Sequence, residues 1–477
     1  MHSADQLPAS NRLRLLVAIA SYGQKNIPFL KKIIQNYKSM AMDVDIVVLS
    51  EAPKDVGAGV EIVVGLPDKN PWSLPFAHKA EMARNAEKYD LFVYTEDDIE
   101  VAEANIQAFL RLTASLQSEE IAGYLRYEIG PGATKLLTDV HGAFHWKPES
   151  VKRRGPHIVA EFTNEHAGFY ILTQSQLKRA IASGGFLKAP YEGRYGLPET
   201  AATDPYTRCG FRKVVCISML DDFLIRHMSN LYVERHGVSL DAFRQQVQTL
   251  TDICDGRHVA ETLCGVESKL LHGSWSKSYY EQPDEELIEM IPSETETILS
   301  IGCGCGATEA AVQKRGAKVT VLPLDSVVGA SAERLGMEVI YGTLENCLRD
   351  LRGRQFHCVL ITNLLHLMRD PGSALRDFAR FVLKGGTLVA GGPNFSRVSI
   401  SIRRICGDLE IGRLTSFEQS GISVCGPGTL SRCIRKEGMR VTAVRWLNHA
   451  TGSRKLDRYR VRFGRLTAKD WIFQARR

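Results

Sequence analysis

The chain has 477 residues, 44% hydrophobic and 24% charged, the balance of a soluble globular protein too long for one core and expected to form two domains of roughly 100–200 residues each. No run of about 18 apolar residues occurs, residues 1–14 lack the apolar segment of a secretion signal, and the 11 cysteines are odd in number and scattered, which argues against a membrane span, an exported chain and a disulfide framework. The expected compartment is therefore the cytoplasm. The net charge of +6 is uneven: residues 398–477 hold 17 Lys and Arg against 6 Asp and Glu. Basic and apolar residues alternate there ("RYRVRFGRL") without any nucleic-acid-binding motif, so a strand with one solvated face is expected and no nucleic-acid partner.

In chain order, "LRLLVAIASY" (residues 13–22) reads as a short buried strand. "IPFLKKIIQNY" follows with Ile27, Leu30, Ile33, Ile34 and Tyr37 on one helical face. "VDIVVLSE" is a second strand ending at Glu51, and this strand–helix–strand order predicts an α/β sheet. "AHKAEMARNAEKYD" and "LFVYTEDDIEV" repeat the theme, and the second strand runs into three consecutive carboxylates, Glu96, Asp97 and Asp98. Adjacent like charges need water or a cation between them, and ligands of open parallel sheets gather beyond the carboxyl ends of strands.

Residues 235–283 lose the strand pattern and read as a connector of helices ("SLDAFRQQVQTLTDI"). A new series starts at "ILSIGCGCGATEAAV" (residues 298–312), a strand, three glycines (Gly302, Gly304, Gly306) and a helix; "KVTVLPLD" then delivers Asp325, 19 residues after Gly306. Glycines at such a turn keep side chains away from the amides of a helix start, and an acid at that separation can cap a ribose diol. Cys303 and Cys305, two thiols one residue apart with no second pair nearby, do not make a zinc site.

On these residues, with "YYEQPDEELIEMIP" as a lead-in helix and "FHCVLITNLLHLMRDPGSALRDFARFVLKGGTLVAGGPNF" further on, residues 284–477 resemble a class I S-adenosylmethionine-dependent methyltransferase with a Rossmann-like fold. The resemblance implies that Gly302, Gly304 and Gly306 face the methionine part of the cofactor, Asp325 its ribose, and Asn363 to His366 its reactive end, with His366 a candidate general base. Two positions depart from the family: Ser300 stands where the first strand usually carries an acid, and His357 where an Asp often opens the fourth strand.

Residues 12–234, through "VAIASYG", "VVLSE" and "MARNAEKYDLFVYTEDDIEV", resemble a nucleotide-sugar glycosyltransferase of the GT-A type. The resemblance implies Mn²⁺ or Mg²⁺ held by Asp98 and Glu96, with His227 as a third ligand. It implies Ser21 and Glu51 at the nucleoside, and Lys79 and Arg84 near the donor. A base for the acceptor hydroxyl is sought among Glu199, Glu192, Asp204, Asp221 and Asp222, with Glu199 favoured. A hard cation prefers carboxylate oxygens and neutralises the charge growing on a leaving diphosphate.

Together the resemblances imply a two-domain α/β enzyme. It would transfer a sugar from a nucleotide-sugar donor and a methyl group from S-adenosylmethionine to a sugar hydroxyl, in bacterial surface polysaccharide or glycolipid synthesis. A glycan or lipid-linked glycan acceptor is expected, and peripheral membrane association of the basic end with it. The alternatives are a glycosyltransferase with a non-catalytic methyltransferase-like module, a methyltransferase whose first half only binds a nucleotide-sugar, and a glycan-binding protein without catalysis.

Overall fold

The structure is a computed structural model and describes residues 12–447 and 464–477. The residues before position 12, and residues 458–463 of the basic stretch expected as a strand, lie outside the described residues. Gly464–Thr467, just after them, is a short helix. The chain divides into two units: residues 1–140 with 150–243, and residues 141–149 with 244–477.

The first unit is built on β1 (Arg14–Ala20), α1 (Ile27–Lys38), β2 (Asp43–Ser50), β3 (Glu61–Val64), α2 (Ala77–Arg84) and β4 (Leu91–Glu96). The predicted face of α1 is the one that packs inward: Leu30, Ile33, Ile34 and Tyr37 are its buried residues. β1, β2, β3 and β4 are parallel, and β11 (Phe169–Thr173) closes the far edge antiparallel to β4, giving the order β11-β4-β1-β2-β3. α2 ends at Arg84, short of the helix expected through residue 90. Because α2 returns to the start of β4, Arg84 lies toward the opposite edge of the sheet from the carboxylates, about 10 Å of helix from Ala77.

After β4 the chain turns at Asp97 and Asp98 into β5 (Ile99–Glu100), which joins a smaller sheet. α3 (Glu103–Thr113) and β6 (Glu120–Ala122) follow, then β7 (Leu125–Ile129), β8 (Lys135–Leu137), β9 (Lys152–Arg154) and β10 (His157–Ala160). Past β11 come α4 (Gln174–Ala182), α5 (Leu197–Thr207), β12 (Arg212–Cys216), β13 (Leu224–His227) and β14 (Val238–Ser239). The smaller sheet has the order β14-β8-β7-β13-β5, so His227, at the end of β13, pairs across to Ile99 beside the carboxylate turn. A third sheet runs β6-β12-β10-β9.

The expected helical connector is a helix only in its first part, α6 (Leu240–Cys254); residues 255–283 hold one short turn, Leu271–Gly273, and otherwise run irregularly over the second unit. The lead-in helix is also short: α7 (Glu285–Glu289), started by the Asp284 side chain accepting from Leu287 N. The second unit continues with β15 (Thr297–Cys303), α8 (Ala307–Gln313), β16 (Lys318–Pro323), α9 (Ser326–Arg334), β17 (Glu338–Val339), α10 (Leu344–Asp350) and β18 (Phe356–Thr362). α11 (Pro371–Ala379) and β19 (Val382–Pro393) follow, then four α-helices (Val398–Ile405, Leu409–Gly412, Phe417–Ser420 and Pro427–Arg435), and finally β20 (Arg440–Leu447) and β21 (Asp470–Arg476).

Its sheet order is β17-β16-β15-β18-β19-β21-β20, with β21 antiparallel to both neighbours and the other pairs parallel. Alternate residues feed two cores. Leu299, Ile301, Val359, Ile361, Leu388 and Ala390 face one layer; Ile298, Cys358, Leu360 and Val389 face the other. Both faces are therefore covered, which is why these strands read as continuous apolar runs. The order of strands reverses between β15 and β18, and a crevice at that reversal is where such sheets take ligands.

Candidate functional site

In the first unit the carboxylates at the end of β4 take separate roles. Asp97 faces back to the ends of β1 and α1, accepting from Ser21 Oγ at 2.7 Å and Asn26 Nδ2 at 2.8 Å. Burial pushes its carboxyl up to about 6 against those two hydrogen bonds. Lys54 donates to the Ser21 carbonyl at 2.7 Å and to its Oγ at 2.9 Å. Ser21 is thus a buried link in this network. Glu51 sits at its rim, accepting from Gly23 N at 3.0 Å.

Glu96 and Asp98 face the smaller sheet. Asp98 Oδ2 lies 3.1 Å from His227 Nε2, and His227 Nδ1 lies 2.6 Å from Glu128 Oε1. Burial alone would lower the imidazole, but Asp98 and Glu128 raise it; burial alone would raise Asp98, but His227 and Ser229 hold it below its ordinary value. Burial, then the Asp98 charge, raises Glu96 to about 7. The nearby Arg126 opposes that rise and Glu199 adds to it, which places Glu199 within electrostatic reach of Glu96. A Cβ on Gly168, at φ +59°, would come 2.9 Å from Glu96 Oε2, so the glycine lets this carboxylate lie against the start of β11.

The structure thus joins Asp98 and His227 directly and sets Glu96 and Glu199 within electrostatic reach of one another, while Ser21 belongs to the separate Asp97 network with Glu51 at its rim. It separates the other acids considered with Glu199: Glu192 and Asp221 are exposed, Asp222 pairs with Arg111 at 3.3 Å, and Asp204 is fully buried against Lys79 and Tyr191. Two expected donor contacts are corrected by this packing. Lys79 is buried and spent on Asp204, tying α2 to the helix that carries Glu199. Arg84 is solvent-facing, pairs with Glu81 and lies toward the opposite edge of the sheet.

Sequence reading missed Arg126 and Glu128, alternate residues of β7 and both buried. Charged residues two apart in an otherwise apolar strand share a face, and that is the signal that marks them. It also missed Lys213, whose side chain crosses Gly123 and donates to the carbonyls of Asn164 and Glu165, each at 3.2 Å; burial draws its ammonium down to about 8. Among the described residues no group of three or more His, Cys, Asp or Glu side chains is arranged to hold a metal ion. Here Asp98 and His227 satisfy one another. With Glu96 they are side-chain types that a hard divalent cation accepts, but in this arrangement they do not converge as a ligand set, and the imidazole is held through Nδ1 by Glu128.

In the second unit the glycine loop closes the end of β15. Gly306 has φ +82° and starts α8, a conformation that favours glycine. Gly302 and Gly304 are required by packing: a Cβ would lie 2.7 Å from Leu364 Cδ2 and 2.5 Å from the Tyr279 carbonyl oxygen, respectively. That carbonyl also accepts from Cys305 N at 2.9 Å. The loop is therefore covered by residues 261–281, where the glycines alone suggested open amides. The same strap hydrogen-bonds to the end of β16 and beyond it (Leu263 N to Leu324 O, Ser326 N to Glu261 O) and to the His366 ring, whose Nε2 meets Trp275 O at 2.7 Å.

Under the strap, Asp325 Oδ1 caps α9 by accepting from Val327 N at 2.8 Å and Val328 N at 2.9 Å, while its Oδ2 is buried without a partner. Burial raises this carboxyl to about 7. His366 is buried with Nδ1 unpartnered, and burial lowers it to about 4, so it stays neutral near pH 7. Asn363, at φ +48°, makes the turn out of β18. Ser300 Oγ donates to Glu309 Oε1 at 2.6 Å. His357 belongs to the opposite end of β18: it is the strand's second residue, its Nδ1 lies 2.8 Å from Thr297 Oγ1, and about 17 Å of strand separates it from the carboxyl end. That departure from the family pattern does not touch the cleft.

This sheet order, with a glycine turn after its first strand and an acid after its second, defines an α/β domain of the methyltransferase class. Residues 299–390 match the family described as methyltransferase domain, so the second unit carries a methyltransferase domain. The chain is similar to the solved structure of the N-methyltransferase NodS from Bradyrhizobium japonicum WM9 in complex with S-adenosyl-L-homocysteine, at 15% identity over 40% of this chain and 83% of that one, TM-score 0.28. It is similar to an S-adenosylmethionine-dependent methyltransferase from Mesorhizobium loti, at 16% identity over 40% and 96%, TM-score 0.31. A SAM-dependent methyltransferase from Archaeoglobus fulgidus is similar at 14% identity over 39% and 87%, TM-score 0.29. No curated protein matches the chain.

The residues fit the cofactor such a domain implies. An enclosed carboxylate with a free oxygen, Asp325, sits one strand from the glycine turn, and a ribose diol supplies the donors that oxygen lacks. Among the described residues no helix is long and apolar enough to cross a membrane.

Proposed function

We propose that the second unit binds S-adenosylmethionine and methylates a hydroxyl, and that the first unit is a metal-dependent glycosyltransferase of the GT-A type using a nucleotide-sugar donor. The single observation that carries the methyltransferase reading is the unpartnered, buried Oδ2 of Asp325 beside the glycine turn. The glycosyltransferase reading is supported by the sheet order with its one antiparallel edge strand, by the contact of Asp98 with His227 and by the electrostatic reach between Glu96 and Glu199. The acceptor we infer is a glycan or lipid-linked glycan of a bacterial surface polysaccharide or glycolipid pathway. One chain carrying both activities raises the effective concentration of the first product at the second site.

In the second unit Asp325 orients the ribose, and the strap excludes water from the reacting end. His366, held through Nε2 by Trp275 O, offers a neutral Nδ1 as an acceptor for a hydroxyl proton. In the first unit Glu96, Asp98 and His227 would hold Mn²⁺ or Mg²⁺, which when bound supplies charge neutralisation for a diphosphate. Glu199 accepts the proton of the acceptor hydroxyl. Arg126, fixed by Asp139 at 2.8 Å, is a fixed positive charge beside Glu96.

The test is titration calorimetry of the full chain with S-adenosylhomocysteine, and with UDP and GDP with and without Mn²⁺, against Asp325→Ala and Asp98→Ala. Each variant loses one ligand and keeps the other if both readings hold; wild-type chain that binds no nucleotide under any condition removes the glycosyltransferase reading. A second reading, in which the methyltransferase-like unit is not catalytic, is favoured by the strap contact that occupies Cys305 N. Failure of S-adenosylhomocysteine to bind would select it.

A further inference from the structure

The second unit holds three charged groups that the fold and the proposed chemistry leave unused: Lys277 and Glu309, both buried, and Glu281, partly exposed. Lys277 comes from the strap and its side chain is fully buried. Its Nζ donates to Glu281 Oε2 at 2.5 Å and to Thr362 Oγ1 at 3.0 Å. Thr362 is the last residue of β18, one step past the pair Ile301–Ile361, so the ammonium lies beside Gly302 at the reversal of strand order. Glu309 reaches the same place from the first turn of α8. It is 5% exposed, accepts from Ser300 Oγ at 2.6 Å, and forms no ion pair among those the structure gives.

The Cys303 thiol is within electrostatic reach of both groups. Burial raises it most; Glu309 raises it further by charge and hydrogen bond, and Lys277 opposes them. Cys305, next in the turn, is likewise within reach of Glu309 and Glu281. One end of the cleft therefore presents a buried cation and a buried carboxylate, carried by separate segments around the glycine turn. The other end presents Asp325 one strand away.

Glu309, buried with a hydroxyl and a thiol but no cation, calls for a positive charge, and Lys277, held by Glu281 and Thr362, keeps a third N–H that an anion can accept. We propose that Glu309 and Lys277 together recognise an α-amino-acid zwitterion, the methionine end of the cofactor: Glu309 takes the α-ammonium and Lys277 the α-carboxylate. Glu309, steadied by Ser300, supplies from the helix the acid that the first strand lacks at position 300. The inference rests on the cofactor reading above and goes beyond it by naming two recognition residues and the group each one meets.

The test compares two ligands on the full chain by titration calorimetry. S-adenosylhomocysteine carries the zwitterion; 5′-methylthioadenosine shares its adenosine and thioether and lacks the zwitterion. Wild-type protein is expected to bind the first at least roughly tenfold more tightly, as charge-assisted hydrogen bonds in a buried site imply. Glu309→Gln and Lys277→Met are each expected to lose roughly tenfold or more for S-adenosylhomocysteine and to stay within about twofold of wild type for 5′-methylthioadenosine. The unchanged second affinity also shows that the variant is folded. Glu309→Asp, which keeps the charge but withdraws it, is expected to show a smaller loss confined to S-adenosylhomocysteine.

Equal affinity of the two ligands for wild-type protein, or equal losses in the variants, overturns the zwitterion assignment while leaving the cofactor reading in place. Absence of binding by both ligands to wild-type protein overturns the cofactor reading, and the assignment with it.

Discussion

Asp325→Asn separates the cost of burying a carboxylate from its use. In the folded chain the Asp325 carboxyl is raised to about 7 from 3.8, chiefly by burial, with Glu149 adding a little and the two amides of α9 opposing. A raised acid means that the folded state holds its proton where the unfolded state has already released it. Stability therefore falls as pH climbs from the unfolded value toward the folded one. Between pH 5 and pH 8 the loss amounts to about 2.5 kcal/mol for a native value near 7, at 1.36 kcal/mol per unit.

An asparagine keeps the Oδ1 cap on Val327 and Val328 and has nothing to ionise. Its buried amide hydrogens cost something at every pH, but that constant cancels when the pH 5 and pH 8 stabilities of one protein are subtracted. The assay is denaturant unfolding of the full chain followed by tryptophan fluorescence, in a Trp72→Phe background. The remaining four tryptophans, at positions 146, 275, 446 and 471, all belong to the second unit. Relative to the parent, the variant should gain about 2.5 kcal/mol on moving from pH 5 to pH 8, and it should lose S-adenosylhomocysteine binding. Parallel pH curves would refute the argument, because they would mean that Asp325 is ionised throughout and its free oxygen meets water.

The His227 imidazole is raised by Asp98 and Glu128, so its contribution to stability is present at low pH and is lost as pH rises through its folded value. Metal binding through Nε2 must displace that proton, so Mn²⁺ affinity measured by calorimetry should strengthen from pH 6 to pH 8, and His227→Gln should flatten the profile. Lys79→Met strands the buried Asp204 and should destabilise the first unit by about 3–5 kcal/mol in thermal unfolding, with Lys79→Met/Asp204→Leu recovering much of it. Recovery of none would mean that the pair is not a buried unit. Gly304→Ala drives a methyl to 2.5 Å from the Tyr279 carbonyl, and hydrogen exchange across residues 261–281 should rise at least severalfold; unchanged exchange would show that the strap does not bear on the glycine turn. S-adenosylhomocysteine should slow exchange in the same residues of the wild-type chain, and equal rates with and without it would count against the strap as the cover of the cleft.

Local periodicity carried much of the fold. The apolar run that became β1, the one-faced pattern of α1 and the strand–glycine–helix sequence at residues 298–312 each fix their own backbone, because burial and glycine conformation act within a few residues. The acids at strand ends, Glu96, Asp98 and Asp325, were legible for the same reason: a charge that ends an apolar strand is conspicuous in one dimension.

What lay beyond the sequence was decided by contacts across many positions. Glu199 was one acid among five until packing buried Asp204 on Lys79 and left the others outside the cluster. Lys79 and Arg84 looked alike on one short helix, yet the first is buried in an ion pair and the second faces solvent, because a helix turns its successive residues to different sides. Ser300 looked like the loss of an acid until α8 brought Glu309 back onto it. Residues 255–283, polar enough to read as a spacer, proved to be the strap over the glycine turn. A sequence states the charge of a side chain and the element that bears it; only tertiary structure decides which buried charges meet, because that depends on which distant segment supplies the partner.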